Sequence, residues 1–175
     1  MLVSQTGSKN IKYQRGLSII EILVVITIIT VALVSILSLV TFSLKVSTSI
    51  KETTQANALA QETIEAVRNF RDGIDWNNDD PENKYDGLGI VTVGVVYYPE
   101  KSTDAPPKWM LLQGEEGVNG FTRKVVFNDV YRDITTDDIE TSGGYFDPDT
   151  KKVTATVSWK SKKVEIITYL TNWKE

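Results

Sequence analysis

The chain of 175 residues contains no cysteine and no histidine. Without thiolate and imidazole ligands, zinc fingers, iron–sulfur clusters, haem sites, Ser-His-Asp triads and cysteine nucleophiles are excluded. Acid–base chemistry would fall to Asp and Glu, and no pair of them has a spacing that reads as catalytic, so the sequence points away from an enzyme. No disulfide can form, and cysteine usage therefore says nothing about redox compartment. Proline and glycine are unevenly withheld: no proline precedes Pro81, and no glycine lies between Gly16 and Gly73. Acids are missing from the first 20 residues, where Lys9, Lys12 and Arg15 give residues 1–16 a charge of +3. The whole chain carries −4, so residues 17–175 carry −7, a sign that repels nucleic-acid phosphates and argues against a nucleic-acid partner.

What is present is a long apolar run. Of the 28 residues from Leu17 to Leu44, 20 are apolar, and the 23 from Ile22 to Leu44 are all uncharged. At about 1.5 Å per residue such a helix crosses a hydrocarbon core of about 30 Å, whereas the apolar core of a signal peptide is only about 7–15 residues long. The run predicts a membrane span. The three preceding cations put the N-terminus in the cytoplasm and the remainder outside. Glu21 is the anomaly, because an acid near the end of an apolar helix is costly. It either reaches water at the interface or has a cationic partner supplied by another chain.

The stretch Lys12-Tyr13-Gln14-Arg15-Gly16-Leu17-Ser18-Ile19-Ile20-Glu21, followed by the span, resembles the class III signal of type IV prepilins and type II secretion pseudopilins. In that family a short basic leader ends in glycine, a hydrophobic residue and Ser or Thr follow, and a glutamate closes the motif. The resemblance implies that a prepilin peptidase/methyltransferase cuts between Gly16 and Leu17 and that Leu17 becomes an N-methylated terminus. It also implies that Glu21 pairs with the Leu17 ammonium of a neighbouring subunit, that an assembly-platform membrane protein is a partner, and that the span later lines a filament core. Opposite charges stranded in an apolar medium offset each other's desolvation and fix the stagger between subunits. The absence of a proline near Ser38, about twenty residues into the mature chain, favours a minor pilin or minor pseudopilin over a filament-building subunit. The segments 120–123, 156–159 and 168–173 resemble the C-terminal portion of minor pilins and I-type minor pseudopilins.

At 100° per residue Thr27, Thr30, Ser35, Ser38 and Thr41 share one side of the span. Small polar stripes of this kind favour close helix–helix contact in lipid, while each hydroxyl can also bond back to its own helix. Beyond Lys45 the helical pattern becomes amphipathic through Val46, Ile50, Ala60, Ile64 and Val67, with Leu59 and Phe70 beside that face. Gly73 is the predicted stop.

Residues 73–89 are rich in oxygen ligands. Asp75, Asn77, Asp79 and Asp86 fall at positions 1, 3, 5 and 12 of a calcium-loop frame, but Asp80 replaces the required glycine and Asp86 the bidentate glutamate. A solvated turn is favoured over calcium, and no other cofactor is implied. Candidate strands cover 90–98, 109–113, 121–128, 153–159 and 164–170, with turns at 102–108, 147–150 and 160–163. Lys151, Lys152, Lys160, Lys162 and Lys163 read as a basic edge that protects the terminal hairpin, with DNA capture as the minor alternative. Trp76, Trp109, Trp159 and Trp173 read as packing residues.

The expected fold is α+β and type IV pilin-like: one long helix whose second half packs on an antiparallel sheet. The expected organisation is a cleaved leader at 1–16, a transmembrane half-helix at 17–44, an amphipathic half at 45–72 and a β-rich extracytoplasmic head at 73–175. The expected function is a structural subunit of a type IV pilus. The alternatives are a minor pseudopilin of a type II secretion or DNA-uptake system and, in a different class, a single-pass sensor or adhesin that keeps its leader.

Overall fold

A computed structural model describes residues 16, 18–141 and 143–173. Helix α1 covers Ile19–Gly73, 55 residues. Seven strands follow: β1 (Val96–Lys101), β2 (Trp109–Gln113), β3 (Glu116–Val118), β4 (Phe121–Arg132), β5 (Ile139–Glu140), β6 (Tyr145–Trp159) and β7 (Lys162–Thr171). All pairings are antiparallel in the order β2-β1-β4-β6-β7, and β3 and β5 also pair with β4. The α+β expectation holds: one long N-terminal helix precedes the sheet and packs on it. The chain divides between Thr48 and Ser49 into two compact units.

Residues 19–48 of α1 are rich in Ile and Val, which have modest intrinsic helix propensity. A helix is nevertheless the form in which a lone segment satisfies all its backbone bonds internally, as lipid requires. Its large apolar side chains stand exposed from Ile19 to Val46. The stretch is long and apolar enough to cross a membrane.

Residues 49–73 of α1 bury Ala56, Ala60, Thr63, Ile64, Ala66, Val67 and Phe70. Ala56 and Ala60 pack with Phe121, Val157 and Trp159, small against large. Further along, Ile64, Val67 and Phe70 join a larger cluster with Val125, Phe127, Val153, Ala155 and Leu170. These sheet residues alternate along β4 and β6, as a one-sided core demands. The predicted apolar face does not begin at Val46. Val46 and Ile50 are exposed, and Ala56 is the first buried residue. The helix ends at Gly73 as predicted, with Arg71 placed in its last turn where the dipole favours a cation.

The strand expectations hold for β2 and need correction elsewhere. Residues 90–95 are not strand: Ile90 and Val91 donate to the Gly87 carbonyl in a turn, and Gly94 takes a φ of 75°. Pairing with β2 then carries β1 through Pro99 to Lys101. The turn expected at 147–150 lies inside β6. Asp147 pairs with Val130 and Lys151 with Asp129, so residues 148–150 have no partner on β4 and form a bulge that accommodates Pro148. Asn119 and Gly120, at φ 51° and 84°, make the tight turn that lets Val118 face Phe121 and creates β3.

Candidate functional site

Gly16 has open space around its Cα, so a larger side chain would meet no neighbour there. Leu17 lies outside the described residues. Ser18 heads α1, its carbonyl accepting the N–H groups of Glu21 (3.0 Å) and Ile22 (3.2 Å). Glu21 occupies the first turn and is exposed. Ser18 and Glu21 stand three residues apart at a helix start, the spacing of a capping box, in which a serine and a glutamate satisfy orphan N–H groups. An acid in the first turn also suits the helix dipole.

The five hydroxyls of the stripe each donate to a carbonyl of their own helix. Thr27 reaches Val24 (2.8 Å), Thr30 reaches Ile26 (2.8 Å), Ser35 reaches Val31 (2.8 Å), Ser38 reaches Val34 (2.9 Å) and Thr41 reaches Ser38 (2.9 Å). Their donors are spent locally, which is how a hydroxyl tolerates an apolar medium. The stripe therefore presents small, locally satisfied groups.

The oxygen-rich loop after α1 is held by its own bonds. The Asp80 carboxylate accepts the N–H groups of Lys84 (3.0 Å) and Tyr85 (3.1 Å), while Asp86 accepts that of Asp80 (2.9 Å). The Asp80 carboxyl is held below the usual range, chiefly by the Lys84 N–H. Asp75, Asn77 and Asp79 line an open depression of about 430 Å³ with Asn172, whereas Asp86 is turned to its backbone partner. Among the described residues, no group of three or more metal-ligating acids converges. Gly87 is obligatory in this loop, since a Cβ there would stand 2.1 Å from the Trp76 carbonyl oxygen. Buried Trp76 anchors the loop through its indole N–H, which donates to the Pro148 carbonyl at 3.1 Å.

Three cations inside the sheet unit, Arg123, Arg132 and Lys151, are held by acids distant in the chain. Arg123, only 7 % exposed, donates to Glu116 on β3 and at 3.1 Å to Glu62 on α1. Arg132 binds Asp147 at 2.6 Å and also reaches the Thr150 hydroxyl. Burial works to raise the Asp147 carboxyl, but the bonds from Arg132 and Thr150 hold it below the usual range. Lys151 does not lie on a basic edge. It is buried and pairs with Asp129 at 2.6 Å. Lys160 and Lys162 turn to Glu52 and Ser49 on α1, and Lys163 to Glu165. Of the tryptophans, Trp76 and Trp159 are buried, Trp109 lies under Lys101 with its ring centroid 4.9 Å from the ammonium, and Trp173 is exposed, its indole bonded to Asp72.

No protein-family model matches the chain, and no match of significance exists among the curated proteins or the solved structures.

Proposed function

We propose that this chain is a structural subunit of a type IV filament, a minor pilin, with a minor pseudopilin of a secretion or DNA-uptake system as its nearest alternative. The observation that carries the reading is the start of α1. A glycine precedes an apolar helix that exposes its side chains all round, and Glu21 is the single charge between Arg15 and Lys45. A prepilin peptidase/methyltransferase of the membrane cuts after Gly16, whose missing side chain admits a close approach to the backbone. The N-terminus then becomes Leu17, and residues 17–44 anchor the subunit until an assembly-platform protein lifts it into a filament of other pilin subunits. The leader faces the cytoplasm and the sheet unit lies outside. Structure, not catalysis, is its role.

In this reading Glu21 meets the Leu17 ammonium of the next subunit. The capping geometry offers a competing explanation of the same residue, and the two are separable. Glutamine serves in a capping box as well as glutamate but carries no charge. Both Glu21→Gln and Glu21→Val are therefore expected to leave cleavage intact and to reduce incorporation into sheared filaments. Normal incorporation of Glu21→Gln would leave Glu21 as a helix cap only. Mass spectrometry of the wild-type chain is expected to find Leu17 as the N-methylated terminus, and a retained 1–16 segment would favour a single-pass sensor or adhesin.

A further inference from the structure

The β6–β7 hairpin closes through the two-residue turn Lys160-Ser161, with Trp159 opposite Lys162 and Lys160 at a φ of 52°. Its tip grips α1 near Ser49. Glu52 accepts the Trp159 indole N–H at 3.2 Å and the Lys160 ammonium at 2.6 Å, and the Lys162 ammonium donates to the Ser49 hydroxyl at 2.7 Å. The grip is polar and open to water: the Lys160 side chain is 72 % exposed. The helix's apolar attachment here is modest: Ile50 is exposed, Ala56 and Ala60 are buried against Phe121, Val157 and Trp159, and Leu59 packs part-buried against the same cluster.

Beyond Ala60 the attachment changes in kind. Glu62 binds buried Arg123, whose guanidinium would be left without its α1 partner if this part of the helix moved. Ile64, Val67 and Phe70 then enter the larger cluster. Burial scales with apolar area, so the buried Ile64, Val67 and Phe70 side chains hold more than two alanine methyls and a part-buried Leu59 do. Exposed ion pairs such as Lys160–Glu52 contribute little individually.

We propose that the β6–β7 tip is a releasable latch, and that residues 49–60 of α1 peel from the sheet as a unit while residues 62–70 stay docked. The Arg123–Glu62 pair is the stop that halts the peel. Release adds a dozen residues, about 18 Å of helix, to the part of α1 that the sheet does not hold. The device rests on the sheet unit alone and is independent of cleavage at Gly16 or of Glu21. At neutral pH the latch is set: Glu52 is ionised there, and the Lys160 hydrogen bond holds its carboxyl below the usual range.

Hydrogen exchange of the full chain in detergent micelles, read by mass spectrometry at neutral pH, tests it. Once peeled, the stretch loses the packing that suppresses local opening of its own helical bonds, so amides 50–60 are expected to exchange at least about tenfold faster than amides 63–70 in the wild-type chain. Glu52→Ala and, separately, the surface change Lys160→Ala are expected to accelerate 50–60 further and leave 63–70 unchanged. The double variant should add little to either single one, because both remove the same bond. Protection retained at 63–70 also verifies that each variant is folded. Equal exchange across 50–70 in the wild type, or variants that accelerate both stretches alike, overturns the latch.

Discussion

Residues 19–48 and 49–73 belong to one helix and dispose of their side chains in opposite ways. In the first stretch leucine, isoleucine and valine face outward, and the hydroxyls fold back on their own carbonyls. In the second, the apolar side chains narrow to a seam; Thr53 and Thr63 still fold back on the Ser49 and Leu59 carbonyls, but charged side chains reach the sheet, Glu52 to Trp159 and Lys160 and Glu62 to Arg123. Backbone geometry is shared, so the difference lies in composition and neighbours: the first stretch is long and apolar enough to cross a membrane, while the second packs on the sheet, where its acids find partners distant in the chain.

The sharpest way to break this contrast is to damage one stretch's environment and watch the other. Phe127 is fully buried and meets Tyr97 edge-on at 5.8 Å. Phe127→Ala is expected to cost the sheet unit about 3–5 kcal/mol, read by denaturant titration of tryptophan fluorescence. Membrane fractionation of the same variant should be unchanged, because residues 19–48 do not draw on that core. Loss of membrane association would show that the two stretches are coupled.

The contrast is sharpened by making one substitution twice. Ala60 is fully buried beside Phe121 and Trp159, so Ala60→Leu is expected to overpack and to destabilise the sheet unit by about 1–3 kcal/mol. Ala32 lies in the exposed apolar stretch, and Ala32→Leu is expected to leave both thermal unfolding and membrane association as they were.

Acidification should produce the smallest effect and should touch only one stretch. The folded Asp147 carboxyl lies below its usual range, so the stabilisation from its Arg132 bond is fully present above the unfolded value, about 4. It is lost as pH falls through the lower, folded value. Thermal unfolding midpoints should hold steady from pH 7 to about 5 and fall below about pH 4, and Asp147→Asn should flatten part of that fall. Residues 22–44 contain no ionisable group and should not respond.

Legibility in the sequence followed the same divide. The apolar run, the helix stop at Gly73 and the existence of the last hairpin's turn, expected at 160–163 and closed at 160–161, are local signals, and each could be read from neighbouring residues. So could the Asn119-Gly120 turn, a strong hairpin signal that was passed over; it would have revealed β3. What could not be read depends on partners far away in the chain. Asp147-Pro148-Asp149-Thr150 has the chemistry of a turn, and only pairing with β4 and β7 makes it a bulge within a strand. Lys151 and Arg123 look like surface residues until Asp129, Glu62 and Glu116 are brought beside them. At the candidate assembly site the glycine, the acid and the Ser-x-x-Glu spacing were all legible, since each is local.

The bulge in β6 frees the Pro148 carbonyl from the sheet ladder, and the Trp76 indole occupies it. Trp159 reports from the opposite end of the same strand, where its indole is bonded to Glu52. Of the chain's four tryptophans, these two thus report from opposite ends of β6. Emission from Trp76 follows the post-helix loop, emission from Trp159 follows the latch, and a pair of single tryptophan-to-phenylalanine variants would resolve the order in which the two ends of the sheet let go.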